Sequence, residues 1–128
     1  MIHVVAAVVE RQDCFLVTRR PAGVHLEGLW EFPGGKIEAP ESHADALSRE
    51  MREELGTAVT VHELLFEVAH DYGDRTIALY FYRCTLLGTP RPLLGQEMRW
   101  VARDELKSLK FPPADDELIS GLTRTASG

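Results

Sequence analysis

Residues 49 to 56 read REMREELG, which sets Glu50, Glu53 and Glu54 within a single turn if the segment is helical. Side chains three and four positions apart are neighbours on a helix, so these carboxylates would cluster. Two of them about 6 Å apart repel by roughly 0.7 kcal/mol in bulk water and roughly 3 kcal/mol at an effective dielectric of 20. The cluster is cheap on an open surface and expensive in a cleft. A fold that keeps it must either expose it, with Arg49 and Arg52 alongside, or supply a cation.

The segment around it has the punctuation of a helix. Ser42 followed three residues later by Asp45 resembles a capping box, Pro40 stands just before it and Gly56 marks the far end. A helix is expected from Ser42 to Leu55. Ala44, Leu47, Met51 and Leu55 fall at helical spacing and are expected to face a core, with the glutamates well away from that stripe.

The flanking segments read as strands. His3 to Glu10 and Cys14 to Arg19 are rich in β-formers around the polar break Arg11 to Asp13, which suggests a hairpin. Residues 58 to 69 and 75 to 87 form a second such pair around YGDR. LWEF is a short apolar run, and PGG taken alone is a turn. MRWVARDEL reads as a strand entering a helix. After FPPAD an amphipathic helix carries Leu118, Ile119 and Leu122. Strands around one strong helix give an α+β class with a mixed sheet. At 128 residues, 45% of them apolar and 27% charged, a single globular domain over 1–128 is expected.

Charge and cysteine content narrow the function. A formal charge of −6 with no basic stripe argues against duplex nucleic acid as a partner. Cys14 and Cys84 are lone, distant thiols without a CxxC, as expected of buried free cysteines in a reducing compartment. The apolar start VVAAVV is too short for a membrane span and has no basic leader, so the expected address is the cytoplasm, with no membrane partner. The chain is expected to be a monomer or homodimer.

The span Gly35 to Thr57 sets Gly35, five residues, Glu41, seven residues and then REMREELG. Seven fixed residue types agreeing by chance would be on the order of 10⁻⁸ per starting position. The span resembles the Nudix box; Thr57, where the pattern has an apolar residue, is the one departure. The resemblance implies a Nudix-type α/β/α sandwich with a central mixed sheet. It also implies a hydrolase that cuts the anhydride of a nucleoside diphosphate derivative with Mg²⁺, for which Mn²⁺ can substitute. Hard oxygen ligands suit such cations.

By this likeness Glu50, Glu53 and Glu54 would hold metal together with the carbonyl of Gly34 or Gly35, while Glu41 and Arg49 would orient the carboxylates. The general base would be a box glutamate, Glu53, or the loop acid Glu97. Arg20 of TRRP and Lys36 would meet the substrate, with Arg19 pointing away on its strand. Phe32, Trp30 and Tyr80 are candidates to stack on a base, although strand aromatics are more often core.

TRRP, EFPGGKIE, DRTIALYFY and FPPAD together are similar to MutT-type enzymes, which convert 8-oxo-dGTP or ordinary deoxynucleoside triphosphates to monophosphate and pyrophosphate. MutT has Asn after FPPA where this chain has Asp115. A carboxylate accepts hydrogen bonds from guanine N–H groups or from the cytosine amine. GLWEF also resembles cytidine triphosphate pyrophosphatases, so a CTP or modified-dCTP pyrophosphatase is the alternative. A non-catalytic nucleotide-sensing module is a further one, disfavoured by the complete set of box glutamates.

Overall fold

The computed structural model describes residues 1–124. Strands β1 (Ile2–Arg11) and β2 (Cys14–Arg19) form the expected hairpin, closed by Gln12 at φ 51° and Asp13 at φ 63°. Two successive left-handed residues match the twist of a tight antiparallel pair, which explains a turn of only two residues. Two short strands follow, β3 (Trp30–Glu31) and β4 (Gly34–Lys36). PGG is therefore more than a turn, because Gly34 and Gly35 pair with Ala6 and Val5 of β1.

Helix α1 (His43–Leu55) begins at Ser42, whose Oγ accepts the Asp45 N–H at 3.1 Å. It ends at Gly56, at φ 65° and ψ 25°, whose N–H reaches the Arg52 carbonyl at 3.1 Å. A left-handed residue there closes the last turn without a Cβ clash. The core face is Ala46, Leu47, Met51 and Leu55, and Ala44 is exposed, contrary to the sequence expectation. The row 46, 50, 54 runs beside the row 47, 51, 55, so Glu50 and Glu54 border the buried stripe instead of lying well away from it. Only Glu53 faces solvent freely.

Strands β5 (Val59–Asp71) and β6 (Thr76–Leu86) form a long hairpin whose turn holds Gly73 at φ 92°. Strand β7 (Met98–Ala102) leads into the expected helical start, which is a 3-10 segment, Arg103–Ser108. A 3-10 turn at Pro113–Asp115 then opens helix α2 (Asp116–Thr123), on which Leu118 and Ile119 are buried.

The sheet order is β3-β2-β1-β6-β5, with β4 on β1 and β7 on β2. β1 and β6 run parallel and the other pairs antiparallel, as a mixed sheet requires. Val5, Ala7 and Val9 of β1 pack under α1, while Ala6 and Val8 face Phe15, Phe32, Phe81, Leu118 and Ile119. The apolar run VVAAVV is thus a strand covered on both faces, and the layers are helix, sheet, helix. No helix among the described residues is long and apolar enough to cross a membrane.

Candidate active site

The parallel β1–β6 pair, the 20–31 segment and the turn before α2 enclose a cavity of about 350 Å³. Val4, Ala6, Phe32, Leu79 and Phe81 give it apolar walls, and Arg20, Glu31, Lys36, Tyr72, Arg75 and Asp115 add polar groups. Gly34 and Gly35 line it as well, on the strand that lies against α1.

The two glycines are needed for close approach. A Cβ on Gly35 would overlap the Glu50 carboxylate, and one on Gly34 would overlap the Val5 carbonyl. Any larger residue here would separate the acids of α1 from the cavity edge.

Arg49 organises the acidic turn. Its Nε donates to Glu41 Oε2 at 2.7 Å and its Nη2 to Glu41 Oε1 at 3.0 Å, a fork-to-fork pair. Nη1 donates to Glu50 at 2.9 Å and to Glu53 at 3.2 Å, and Nη2 also meets the Lys36 carbonyl at 3.0 Å. One guanidinium therefore ties the start of the motif, β4 and two of the three glutamates together. The Arg49 hydrogen bonds and the Glu38 N–H hold the Glu41 carboxyl below its ordinary range.

Glu54 stands in the opposite condition. Burial, then the charges of Glu50 and Glu31, push its carboxyl up to about 8, against the Gly34 backbone hydrogen bond and Arg20, which favour the charged form. Burial also raises Glu50, more than Arg49 lowers it. Glu53 keeps a side chain 59% exposed.

Among the described residues no three His, Cys, Asp or Glu side chains already converge on one ion position. Mg²⁺ is usually held by one or two carboxylates with substrate phosphates and water, not by an all-protein cage. An uncompensated Glu54 beside Glu50, with oxygen donors only and a glycine strand at van der Waals distance, fits a hard dication of that kind.

At the far end of the cavity Asp115 is 4% exposed. It occupies the cap position of α2 yet makes no side-chain capping bond. Burial, then Glu31 and Asp116, push its carboxyl up to about 7. Arg20 sits between the two ends, donating from Nε to the His25 carbonyl at 2.6 Å and from Nη1 to Glu31 at 3.2 Å.

The other sequence candidates are distributed unevenly. Lys36 is exposed on the cavity edge. Phe32 lines the cavity but is 3% exposed and stacks on Phe111 at 5.5 Å. Trp30 and Tyr80 do not line it: Trp30 belongs to the core, and Tyr80 packs on His43 at 4.4 Å. Arg19 points away, as expected, and pairs with Glu97 at 3.4 Å; neither lines the cavity. Thr57 is buried, its hydroxyl donating to the Ala58 carbonyl at 3.0 Å, which makes a polar residue tolerable at that strand entry.

Glu31, His25, Tyr72 and Arg75 were not singled out from the sequence. For Glu31 a signal existed, a charged residue inside the otherwise apolar run LWEF. The other three sit in turns that only the tertiary fold brings to the cavity.

Comparison with known proteins agrees with this geometry. The NUDIX domain family model matches residues 4–121. The chain is 39% identical over 120 residues to the CTP pyrophosphohydrolase of Escherichia coli strain K12, covering 93% of this chain and 89% of that protein. It is 36% identical over 116 residues to the 8-oxo-dGTP diphosphatase of the same strain, covering 90% and 89%. A solved MutT structure, from work on Aliivibrio salmonicida and Vibrio cholerae, superposes with a TM-score of 0.80 at 32% identity, covering 95% of each chain. The motif, the layered sheet and these likenesses agree that the chain belongs to the Nudix hydrolase family.

Proposed function

We propose that the chain hydrolyses a nucleoside triphosphate to the monophosphate and pyrophosphate, with 8-oxo-dGTP as the substrate in the manner of its MutT-like relatives. The observation that carries this reading is a cavity whose glycine edge abuts the under-compensated acids of α1 and whose lining includes the buried Asp115. Glu50 and Glu54 lie at the glycine strand, and Asp115 is buried in the cavity wall near Glu31.

Glu50 and Glu54, with the carbonyl of Gly34 or Gly35, would hold Mg²⁺ or Mn²⁺. When bound, the dication neutralises phosphate oxygens and makes water a better nucleophile. Glu41 and Arg49 keep the carboxylates oriented, as partners of metal ligands do. Glu53, exposed and tied only to Arg49 at 3.2 Å, takes the proton of the attacking water. Water oxygen bonds to phosphorus, the bridging P–O bond breaks, and the two phosphate products leave. Lys36 offsets substrate charge, Arg20 meets the substrate in the cavity, Phe32 supplies an apolar wall, and Asp115 hydrogen-bonds the base edge.

A second reading, CTP or modified dCTP, is favoured by Asp115 and by the likeness to the CTP pyrophosphohydrolase. Pyrophosphate release from 8-oxo-dGTP, dGTP, dCTP and CTP, each with and without Mg²⁺, tests both. Fastest turnover of 8-oxo-dGTP supports the first reading, fastest turnover of a cytidine nucleotide supports the second, and release from none rejects both.

A further inference from the structure

Glu31 has no part in the mechanism above, yet its position is costly. Its carboxyl is partly buried, is raised above its usual range by that burial, and disfavours charge on both Glu54 and Asp115. An acid set where it disfavours charge on two others calls for a purpose, because a partly buried ion pair is a weak source of stability.

The backbone fixes Glu31 closely. Thr18 and Arg19 of β2 pair with Glu31 and Trp30, and the Trp30 N–H donates to the Lys110 carbonyl at 2.8 Å. Trp30 is buried, so the strand cannot rotate without losing that anchor. From this rigid position both Glu31 oxygens accept from Arg20 Nη1, at 3.2 and 3.5 Å.

Arg20 is held from its other side by the His25 carbonyl on Nε. Its backbone N–H and carbonyl are tied to Leu29 and Gly28, both at 2.9 Å. Nε and Nη1 are thus engaged, while Nη2 makes no hydrogen bond to the described residues. Arg20 lines the cavity, and its charge acts on Glu54 of α1 and on Tyr72 of the cavity wall. A planar guanidinium clamped at two of its nitrogens has a fixed orientation for the third.

We propose that Glu31 is a positioning residue for substrate recognition: it clamps Arg20 so that Nη2 donates to a hydrogen-bond acceptor on the nucleoside half of the substrate. This rests on the triphosphatase reading above. It separates recognition, for which Glu31 and Arg20 are built, from the chemistry at α1.

Kinetics of Glu31→Gln, Glu31→Asp, Arg20→Gln and the Arg20→Gln/Glu31→Gln double variant test it, with tripolyphosphate as a nucleoside-free competitive inhibitor. Glu31→Gln should raise KM for the preferred nucleotide about tenfold, the scale of one charge-assisted hydrogen bond. Its kcat should stay within about twofold, since only ground-state and transition-state binding in common is lost. Glu31→Asp should recover most of the loss, tripolyphosphate inhibition should not change, and the double variant should be no worse than Arg20→Gln alone.

An unchanged KM in Glu31→Gln, additive effects in the double variant, or equal weakening of tripolyphosphate would overturn the proposal. So would a fall in kcat together with melting temperature in both Glu31 variants. Absence of pyrophosphate release by the unaltered protein would instead sink the triphosphatase reading and this inference with it. Release that is equal in the unaltered protein and Glu31→Gln at substrate concentrations well below KM sinks only the inference.

Discussion

Glu41 and Glu54 are both partners of the same acidic turn, and the fold treats them oppositely. Glu41 meets two nitrogens of Arg49 and a backbone N–H, and its carboxyl lies below the ordinary range. Glu54 has burial and two acids for company, and its carboxyl lies near 8. The protein alone satisfies the first; the second is satisfied only when something positive arrives. Asp115 repeats the second condition at the other end of the cavity, where its neighbours are Glu31 and Asp116. Ligands bind where the fold leaves charge or hydrogen-bonding capacity unmatched. On that basis the proposed function puts a cation beside Glu54 and a base edge at Asp115.

The contrast can be broken at several points. The largest effect is expected for Glu53→Gln, which removes the proposed proton acceptor while leaving an exposed side chain of the same shape. Turnover should fall by about two to four orders of magnitude with the melting temperature nearly unchanged; turnover within a few-fold of the original would remove Glu53 from that role. Arg49→Gln attacks the satisfied side. It releases Glu41, Glu50 and Glu53 together, and activity at limiting Mg²⁺ should drop about 10- to 100-fold. Partial recovery at high Mg²⁺ would show that the loss lies in carboxylate orientation.

Asp115→Asn sharpens the far end. Base preference across purine and pyrimidine nucleotides should shift about tenfold, and equal ratios would count against a recognition role. The same variant has a stability signature. Folding raises the Asp115 carboxyl from its ordinary 3.8 to about 7, so the folded state holds a proton that the unfolded chain has released. Stability from this group is present below its unfolded value and declines as pH rises toward 7. The melting temperature of the unaltered protein should therefore fall more steeply over that window than that of Asp115→Asn. Parallel profiles would mean the carboxyl is ordinary.

The smallest effect belongs to Glu97→Gln. Glu97 is half exposed and paired with Arg19 outside the cavity, so kcat/KM should stay within about fivefold, the range of an exposed ion pair. A collapse comparable to Glu53→Gln would transfer the general base to that loop.

How much of this was legible in the sequence follows from the range of the forces involved. The β1–β2 turn, the Ser42 and Gly56 caps and the spacing of the box are local, and each has a local chemical signature. The core face of α1 was read correctly at Leu47, Met51 and Leu55, with a step of two positions at Ala44 in place of Ala46. Alanines are small enough to satisfy either row, and the direction of the sheet is a tertiary fact. That same step hid the partial burial of Glu50 and Glu54, on which the site depends. PGGK was read as a turn because glycines are poor strand formers; their pairing with β1 is set by the close approach of α1. Glu31 and Tyr72 reach one cavity from segments more than forty residues apart, which no local pattern encodes.

Calorimetric titration of the protein with MnCl₂, in the presence of a nonhydrolysable nucleoside triphosphate, tests the central claim most directly. Saturable uptake at neutral pH is expected, with proton release as Glu54 ionises, and loss of both in Glu54→Gln. No uptake by the unaltered protein, or uptake undiminished in Glu54→Gln, would contradict the assignment of the acidic turn to a cation.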